Sequence, residues 1–576
     1  MTKKQPHNHL YYGDNLQVLR DSIKDESVDL VYLDPPFNSK ANYNILFKQP
    51  SGGGSQAQIQ AFEDTWHWND SAEKAFDEVI LSGHGNVAEL LQALRSFLKE
   101  NDMMAYLTMI CVRLIELHRV LKDDGSLFLH CDPTASHYLK VLLDGIFGVE
   151  CFKNEIIWRR TGSHNARRRF GPIHDVILFY SKTKDHYFKI VRSPYMNGHV
   201  KSRYSLDEET GKLQFSSGGN VLTGAGATKG DSGKPWKGFN PAAKNRHWAI
   251  PGYLAEQMDD DFAKLSTLEK LDELYEAGLI EIVDGNAWPT PVRYLRDGDG
   301  VSLQDIWAAQ PYTENTVYGT EEIIDADVAW LGPTDSERLG YQTQKPVGLL
   351  ERIIESACPE NGVVLDPFCG CGTTIHAAQK LQRTWIGIDI THLAISLIEK
   401  RLRDAFPTIK FDTHGTPKDL EGAKALAAHD KYQFQWWAIS LVDAVPFGGK
   451  KKGADGGIDG YLYFKPDGKK TEKAVVSVKG GNNVNVAMVR ELAHVVSSEK
   501  AKIGVLITLA KPTGPMKTEA VKAGFYETPF GKYPKVQILT IEELFNGKRP
   551  DIPLVDPTMF KKAAVESKQK QSKLAF

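Results

Sequence analysis

The chain has 576 residues, enough for roughly three or four domains, and 41% of them are hydrophobic, ample for several buried cores. A formal net charge of −3 argues against a generally basic nucleic-acid coat but leaves room for a local basic groove. Six cysteines (Cys111, Cys131, Cys151, Cys358, Cys369, Cys371) are too sparse for a disulfide framework and offer no CxxC pair for zinc, which fits a reducing cytoplasm. No run of about 18 apolar residues predicts a membrane span, and the stretch MTKKQPHNHLYYGD lacks the apolar core of a secretion signal.

From Leu16 to about Tyr180, short β-rich runs alternate with helical stretches. VDLVYL (28–33), GSLFLHCD (125–132), NEIIW (154–158) and DVILFY (175–180) predict strands. Residues 102–121, DMMAYLTMICVRLIELHRVL, predict a helix with apolar residues three and four apart. Strands alternating with helices predict a mostly parallel sheet with covered faces. The first of these strands runs into Asp34-Pro35-Pro36-Phe37. Two prolines remove two N–H donors and fix two φ angles, and each pushes its predecessor to extended geometry. The product is a stiff corner carrying a carboxylate and an aromatic ring. Alone, it reads equally as a plain turn or as a working site. PSGGGSQAQ (50–58) predicts a flexible surface loop. His130-Cys131-Asp132 is rejected as a metal site, because consecutive strand residues point to opposite faces.

From about 186 to 335 the texture turns rich in Gly, Pro, Trp, Asn and Lys, with a helix near 266–277 opened by the capping box Ser266-x-x-Glu269. The α/β texture returns at about 343. There NGVVLDPFCGCGTTIHAAQKLQRTWIGIDI (361–390) gives a strand ending in Asp366, a glycine loop, a helix from Thr373, and a second strand ending in Asp389. Glycines admit a ligand close to the backbone, and the acid about 20 residues on can accept both hydroxyls of a ribose. The spacing lacks a third glycine. Asp366 would repel a pyrophosphate but suits a cationic amino-acid moiety. That profile is S-adenosylmethionine; the alternative is an ordinary βαβ crossover with an incidental glycine turn.

LDPPF and LDPFCGCGTT, in that order, resemble the two signatures of the S-adenosylmethionine-dependent DNA amino-methyltransferases. Catalytic half first, with a long insert before the cofactor loop, resembles the β-class arrangement. YYGDNL (11–16), FEDTWHW (62–68) and YQTQKPVGLLERII (341–354) extend the likeness over residues 10 to 405. Tyr341-Gln342 departs from a common His-Pro pair, and Cys371 from a usual Ser or Ala. The implied fold class is α/β: a Rossmann-like methyltransferase sheet, permuted, with an inserted target-recognition domain and a C-terminal restriction-endonuclease-like α/β domain. The implied segments are 1–185 (catalytic half), 186–335 (target recognition), 336–410 (cofactor half), 420–555 (nuclease-related) and 556–576, a mobile basic tail.

By this resemblance Asp34 and the backbone carbonyl of Pro35 accept from the two N–H bonds of an exocyclic amine, with Pro36 holding the corner and Phe37 stacking on the base. A base inside a duplex cannot reach such a pocket, so the target is flipped out. Asp14 would contact the cofactor's adenine and Asp389 its ribose. Asp366, Phe368, Gly370, Gly372 and Thr373 would line its methionine end, with Thr343, Lys345 and Pro346 beside them. Asp14 also reads as a turn residue and Lys345 as a solvated charge. Trp66 and Trp68 read as packing. A DPPF tetrad resembles the adenine-N6 members; cytosine-N4 members more often carry serine first.

In WRRTGSHNARRRF (158–170), Arg159, Arg160, Arg167, Arg168 and Arg169 read either as phosphate contacts or as a solvated loop. After a further helical stretch at 421–437, Asp459 precedes one strand and Lys479 ends another, AVVSVK. With YQFQWWA before and IGVLIT after, this resembles the Mrr-like PD-(D/E)xK nucleases, whose acids hold Mg²⁺. Ser477 stands where a second acid or Gln belongs, and Gln433 or Gln435 could compensate. Three readings follow: a DNA adenine-N6 methyltransferase with a nuclease-like appendage, a fused restriction–modification enzyme that also cuts, and a non-catalytic DNA-binding scaffold. Double-stranded DNA is the implied partner, and a dimer is common for the class.

Overall fold

A computed structural model of the chain describes residues 7–36, 68–163, 166–215, 221–259, 261–282, 288–296, 298–310, 316–332, 334–339, 343–447, 457–467, 470–529, 531–553 and 566. Phe37, Trp66, the loop expected at 50–58 and the tail expected at 556–576, apart from Glu566, lie outside the described residues. The chain divides into two units. One takes residues 1–191, 304–309 and 327–571; the other takes 192–303 and 310–326. Among the described residues no helix is long and apolar enough to cross a membrane.

The first unit holds a nine-stranded sheet made of β1 (His9–Tyr12), β2 (Val28–Leu33), β3 (Leu121–Cys131), β4 (Phe152–Arg159), β5 (His174–Ser181), β6 (Ile306–Trp307), β7 (Val363–Asp366), β8 (Thr384–Asp389) and β9 (Asp412–His414). Their order across the sheet is β6-β4-β5-β3-β2-β7-β8-β1-β9. All pairings are parallel except those of β5 with β3 and β4. All six residues of β2 are buried, as a central strand covered on both faces requires. Val31 and Leu33 enter one apolar core and Leu30 and Tyr32 the other, the period of two. Val28 joins the Val31 side because a bulge intervenes before Leu30.

Helices α1 (Asn15–Ser22) and α2 (Asp102–Val120) belong to the first half of the fold, and α3 (Val347–Ala357), α4 (Thr373–Lys380) and α5 (His392–Ala405) to the second. Asn101 caps α2 by accepting from Met104 N at 2.9 Å, and Arg119 meets the negative end of its dipole. The halves are tied across β2 and β7. Asp29 on β2 is buried, accepts from Lys122 Nζ at 2.8 Å, and takes the Val363 N–H at 2.7 Å.

The same unit contains a second sheet: β10 (Val445–Pro446), β11 (Gly460–Phe464), β12 (Glu472–Lys479), β13 (Ile503–Thr508) and β14 (Val536–Thr540), paired in that order. The stretch at 421–437 forms two helices, α6 (Leu420–His429) and α7 (Lys431–Ser440). The break is Asp430, which is extended and caps α7 by accepting from Tyr432 N and Gln433 N.

The second unit packs Trp236 and Trp248 edge-to-face over a helix, Thr267–Glu276, which the Ser266–Glu269 capping box opens. Trp236 Nε1 donates to Asp272 Oδ1 at 2.8 Å and Trp248 Nε1 to the Lys234 carbonyl at 2.9 Å. The region expected as one insert, 186–335, does not stay in one unit. Its Ile306–Trp307 segment pairs parallel with Ile157–Trp158 as β6. A two-residue strand carries no readable period, so the sequence offers no sign of it.

Candidate active site

Four parallel strands, β2-β7-β8-β1, end side by side, and each delivers an aspartate there. Asp366 and Asp389 are the last residues of β7 and β8; Asp34 follows β2 directly, and Asp14 follows β1 after Gly13. The C-terminal edge of such a sheet is where open α/β folds bind ligands. All four acids line one cavity, together with Pro35, Pro36, Thr343, Lys345, Phe368, Gly370 and Thr373. Asp34 and Asp366 are thus neighbours by register, since Val31 pairs with Leu365 on the adjoining strands.

Pro346 and Gly372 do not line the cavity. Pro346 is the N-cap residue of α3. Gly372 has φ +75°, and a Cβ there would meet Ile398 Cγ1 at 2.8 Å, so it serves backbone turn and packing. Gly370, at φ +49°, turns its N–H onto Asp389 Oδ2 at 3.0 Å.

Asp366 and Asp389 are buried and accept from neutral donors. Asp366 takes the Phe368 N–H at 3.0 Å. Asp389 takes Gly370 N, Thr391 N and Thr391 Oγ1. Burial pushes the Asp366 carboxyl up to about 7, against hydrogen bonds from Thr374 and Phe368 and helped by the negative charges of Asp34 and Asp389. Burial likewise raises Asp389 to about 6, against its Thr391 and Gly370 hydrogen bonds. Two buried carboxyls that repel each other suit a ligand offering an ammonium group and hydroxyls. The residues therefore fit S-adenosylmethionine, and they would repel a phosphate.

The other two acids have cations. Lys345 Nζ forms an ion pair with Asp34 Oδ2, across 311 residues of chain. Lys345 is therefore no solvated charge. Asp14 caps α1 by accepting from Gln17 N at 3.1 Å and pairs with Arg113 Nη2 at 3.0 Å, so it is a turn residue and a cavity wall at once. Arg113 was not among the expected residues. Its Nε donates to Asn15 Oδ1 at 2.6 Å, and Asn15 Nδ2 donates to the Pro367 carbonyl at 2.9 Å. The signal for it was a lone arginine inside the apolar run of α2. Tyr32 also lines the cavity, and its hydroxyl contacts His130 Nδ1 at 2.8 Å, whose Nε2 meets Asp175 at 3.3 Å. His130 is thereby engaged on both nitrogens.

β4 runs parallel to β3, so the connection from β4 to β5 leaves the sheet at the edge that holds the cavity. Arg159 and Arg160, at its start, have partners within the chain. Arg159 donates to the Thr161 and Ala309 carbonyls and lies 5.2 Å over the Trp330 ring; Arg160 pairs with Asp175 at 3.3 Å. Arg167, Arg168 and Arg169 are exposed, beside a Phe170 that is 99% exposed.

In the second sheet, Asp459 lies just before β11. It accepts from the Gln435 amide on α7, from Ser477 Oγ at 3.3 Å and from Val478 N. Gln435, rather than Gln433, is the glutamine that reaches it. Lys479 ends β12 two residues beyond Ser477, on the same face. Asp459 joins no group of three His, Cys, Asp or Glu side chains among the described residues. One carboxylate already engaged by an amide, a hydroxyl and an N–H is a poor fit to a Mg²⁺ site, which draws on one or two carboxylates with oxygens to spare.

Comparison with known proteins accords with both regions. Residues 28–400 match the profile of the N6/N4 DNA methylase family, and residues 426–545 match that of an Mrr-type restriction endonuclease domain. Over 399 residues the chain is 27% identical to the type II methyltransferase M.EcaI of Enterobacter cloacae, covering 69% of each protein. It is 27% identical over 396 residues to the Mod subunit of the type III restriction-modification enzyme StyLTI of Salmonella typhimurium, covering 66% of this chain and 52% of that subunit, about half its length. A solved PvuII DNA methyltransferase, cytosine-N4-specific, is similar at 13% identity over 69% of this chain and 88% of its own, with a TM-score of 0.29. The chain belongs to the N6/N4 DNA methylase family, with its S-adenosylmethionine-binding fold, and carries a C-terminal restriction-endonuclease domain.

Proposed function

We propose that the chain methylates the exocyclic N6 of an adenine flipped out of duplex DNA. The observation that carries this reading is the register of β2 and β7, which sets Asp34 and Asp366 on one cavity. S-adenosylmethionine, when bound, supplies an electrophilic methyl carbon on a sulfonium. Asp366 meets its ammonium, Asp389 its ribose hydroxyls and Asp14 its adenine. Asp34 Oδ1 and the Pro35 carbonyl accept from the two N–H bonds of the target amine and draw its lone pair out of the ring. Lys345, on Asp34 Oδ2, fixes the plane of that carboxylate. The proton shed by the nitrogen after transfer passes to Asp34. Adenine is favoured by the aspartate that opens Asp34-Pro35-Pro36-Phe37. Arg167, Arg168 and Arg169 contact phosphates at the cavity edge.

The test is transfer of a labelled methyl group to unmethylated duplex DNA, followed by nucleoside analysis. The expected product is N6-methyladenine, lost in Asp34→Asn. N4-methylcytosine would overturn the choice of base, and full transfer by the variant would overturn the role of Asp34. The C-terminal domain contacts DNA without cutting it, on the ground that Asp459 is already engaged by Gln435, Ser477 and Val478. Mg²⁺-dependent cleavage that disappears in Asp459→Ala would restore the fused restriction enzyme.

A further inference from the structure

The outer edge of the large sheet carries a cluster that the cofactor cavity does not use. β1 and β9 run parallel there, with His9 opposite Asp412 and Tyr11 opposite His414. Side chains alternate along a strand, so His9 and Tyr11 share one face with Asp412 and His414. His9 Nδ1 lies 3.0 Å from His414 Nε2, and His7 Nε2 lies 3.2 Å from Asp412 Oδ2. One ligand atom each from His9, Asp412 and His414 fall within 4.8 Å of one another, the one such trio among the described residues. Tyr11 stacks on the His414 ring at 4.5 Å and 19°, which fixes that ring's plane. None of these residues lines the cavity, which opens at the other end of β1.

We propose that His9, Asp412 and His414, with His7 as a fourth ligand, form a site for a divalent transition-metal ion of the zinc type. Imidazoles with one carboxylate are the donor set that zinc and its neighbours take, whereas magnesium and calcium prefer oxygen alone. Two nitrogens each bound at about 2.0–2.1 Å to one ion stand about 3.0–3.4 Å apart, so the observed pair needs little movement. Asp412 supplies the compensating charge, and its side chain is 57% exposed, which gives the ion a path in. Bound there, the ion clips the strand that leads to Asp14 onto the edge strand β9. The competing account of the 3.0 Å contact is a hydrogen bond between one protonated and one bare imidazole nitrogen.

The experiment uses untagged full-length protein, stripped with a chelator and dialysed. Zn²⁺ is titrated in competition with a chromophoric chelator, and Co²⁺ is added separately for its visible spectrum. One equivalent of Zn²⁺ is expected, with a ligand-field band from Co²⁺ and a higher melting temperature. His414→Ala and the isosteric Asp412→Asn should each weaken Zn²⁺ at least about tenfold, with the metal-free circular dichroism unchanged. Absence of Zn²⁺ binding, or equal affinity in wild type and both variants, overturns the site and leaves an imidazole hydrogen bond.

Discussion

Asp366 and Asp459 are both buried aspartates at strand ends, 3% and 8% exposed, yet they stand in opposite circumstances. Asp366 shares its cavity with three further acids, each brought by a different strand, and no cation of the chain meets it or Asp389 among the described residues. Asp459 instead accepts from Gln435, Ser477 and Val478 of its own domain. Both are buried; what sets the cavity apart is that the fold gathers four acids there and gives an ion pair to two of them, Asp34 and Asp14.

The sharpest way to break this contrast is at Asp34. Replacing it by Asn should cut methyl transfer about a hundred- to a thousandfold, as loss of a preorganised acceptor does, and leave S-adenosylmethionine binding in place. Single-turnover kinetics with calorimetry separate the two effects. Next comes pH. The folded chain holds a proton on Asp366 up to about 7, above the ordinary carboxylate value, so the ligand-free protein should lose stability as pH rises through that interval. Affinity for S-adenosylmethionine should run the other way, rising as Asp366 ionises, and Asp366→Asn should flatten the profile. An unchanged profile would mean that another group meets the ammonium. Lys345→Met should lower kcat about tenfold with a smaller change in KM for the cofactor, and the effect should vanish in an Asp34→Asn background, where nothing is left to orient. Arg113→Met should destabilise the fold by about 1–2 kcal/mol in urea, a modest cost because the partner Asp14 is half exposed. Smallest of all, Asp459→Asn should leave methyl transfer unaltered. A large loss there would erase the distinction between the two aspartates.

The cavity acids were readable because each sits at the end of a local pattern: an apolar run, then Asp34 with its prolines, or Asp366 with its glycines. Other features were invisible because they join distant stretches. The Lys345–Asp34 pair spans 311 residues, and no local window contains both partners. Pro346 and Gly372 fall outside the cavity lining for a related reason. A motif marks residues that shape a loop as readily as residues that touch what the loop holds. Arg159 and Arg160 were indistinguishable in sequence from Arg167, Arg168 and Arg169 until the Ala309 carbonyl and Asp175 claimed them. The division of 421–437 into two helices turned on Asp430, whose capping preference outweighed the helical propensity around it.

The seam between β2 and β7 has a consequence for biosynthesis. As the polypeptide leaves the ribosome, β2 appears early while β7 awaits the whole insert, so a strand destined for the sheet's interior first exists with one bare side. That side is apolar and hydrogen-bond hungry, the profile that holdase chaperones recognise and that aggregation exploits. Truncations ending before Val363 should accordingly be the least soluble fragments of this chain, and co-expression of residues 343–447 in trans should rescue them.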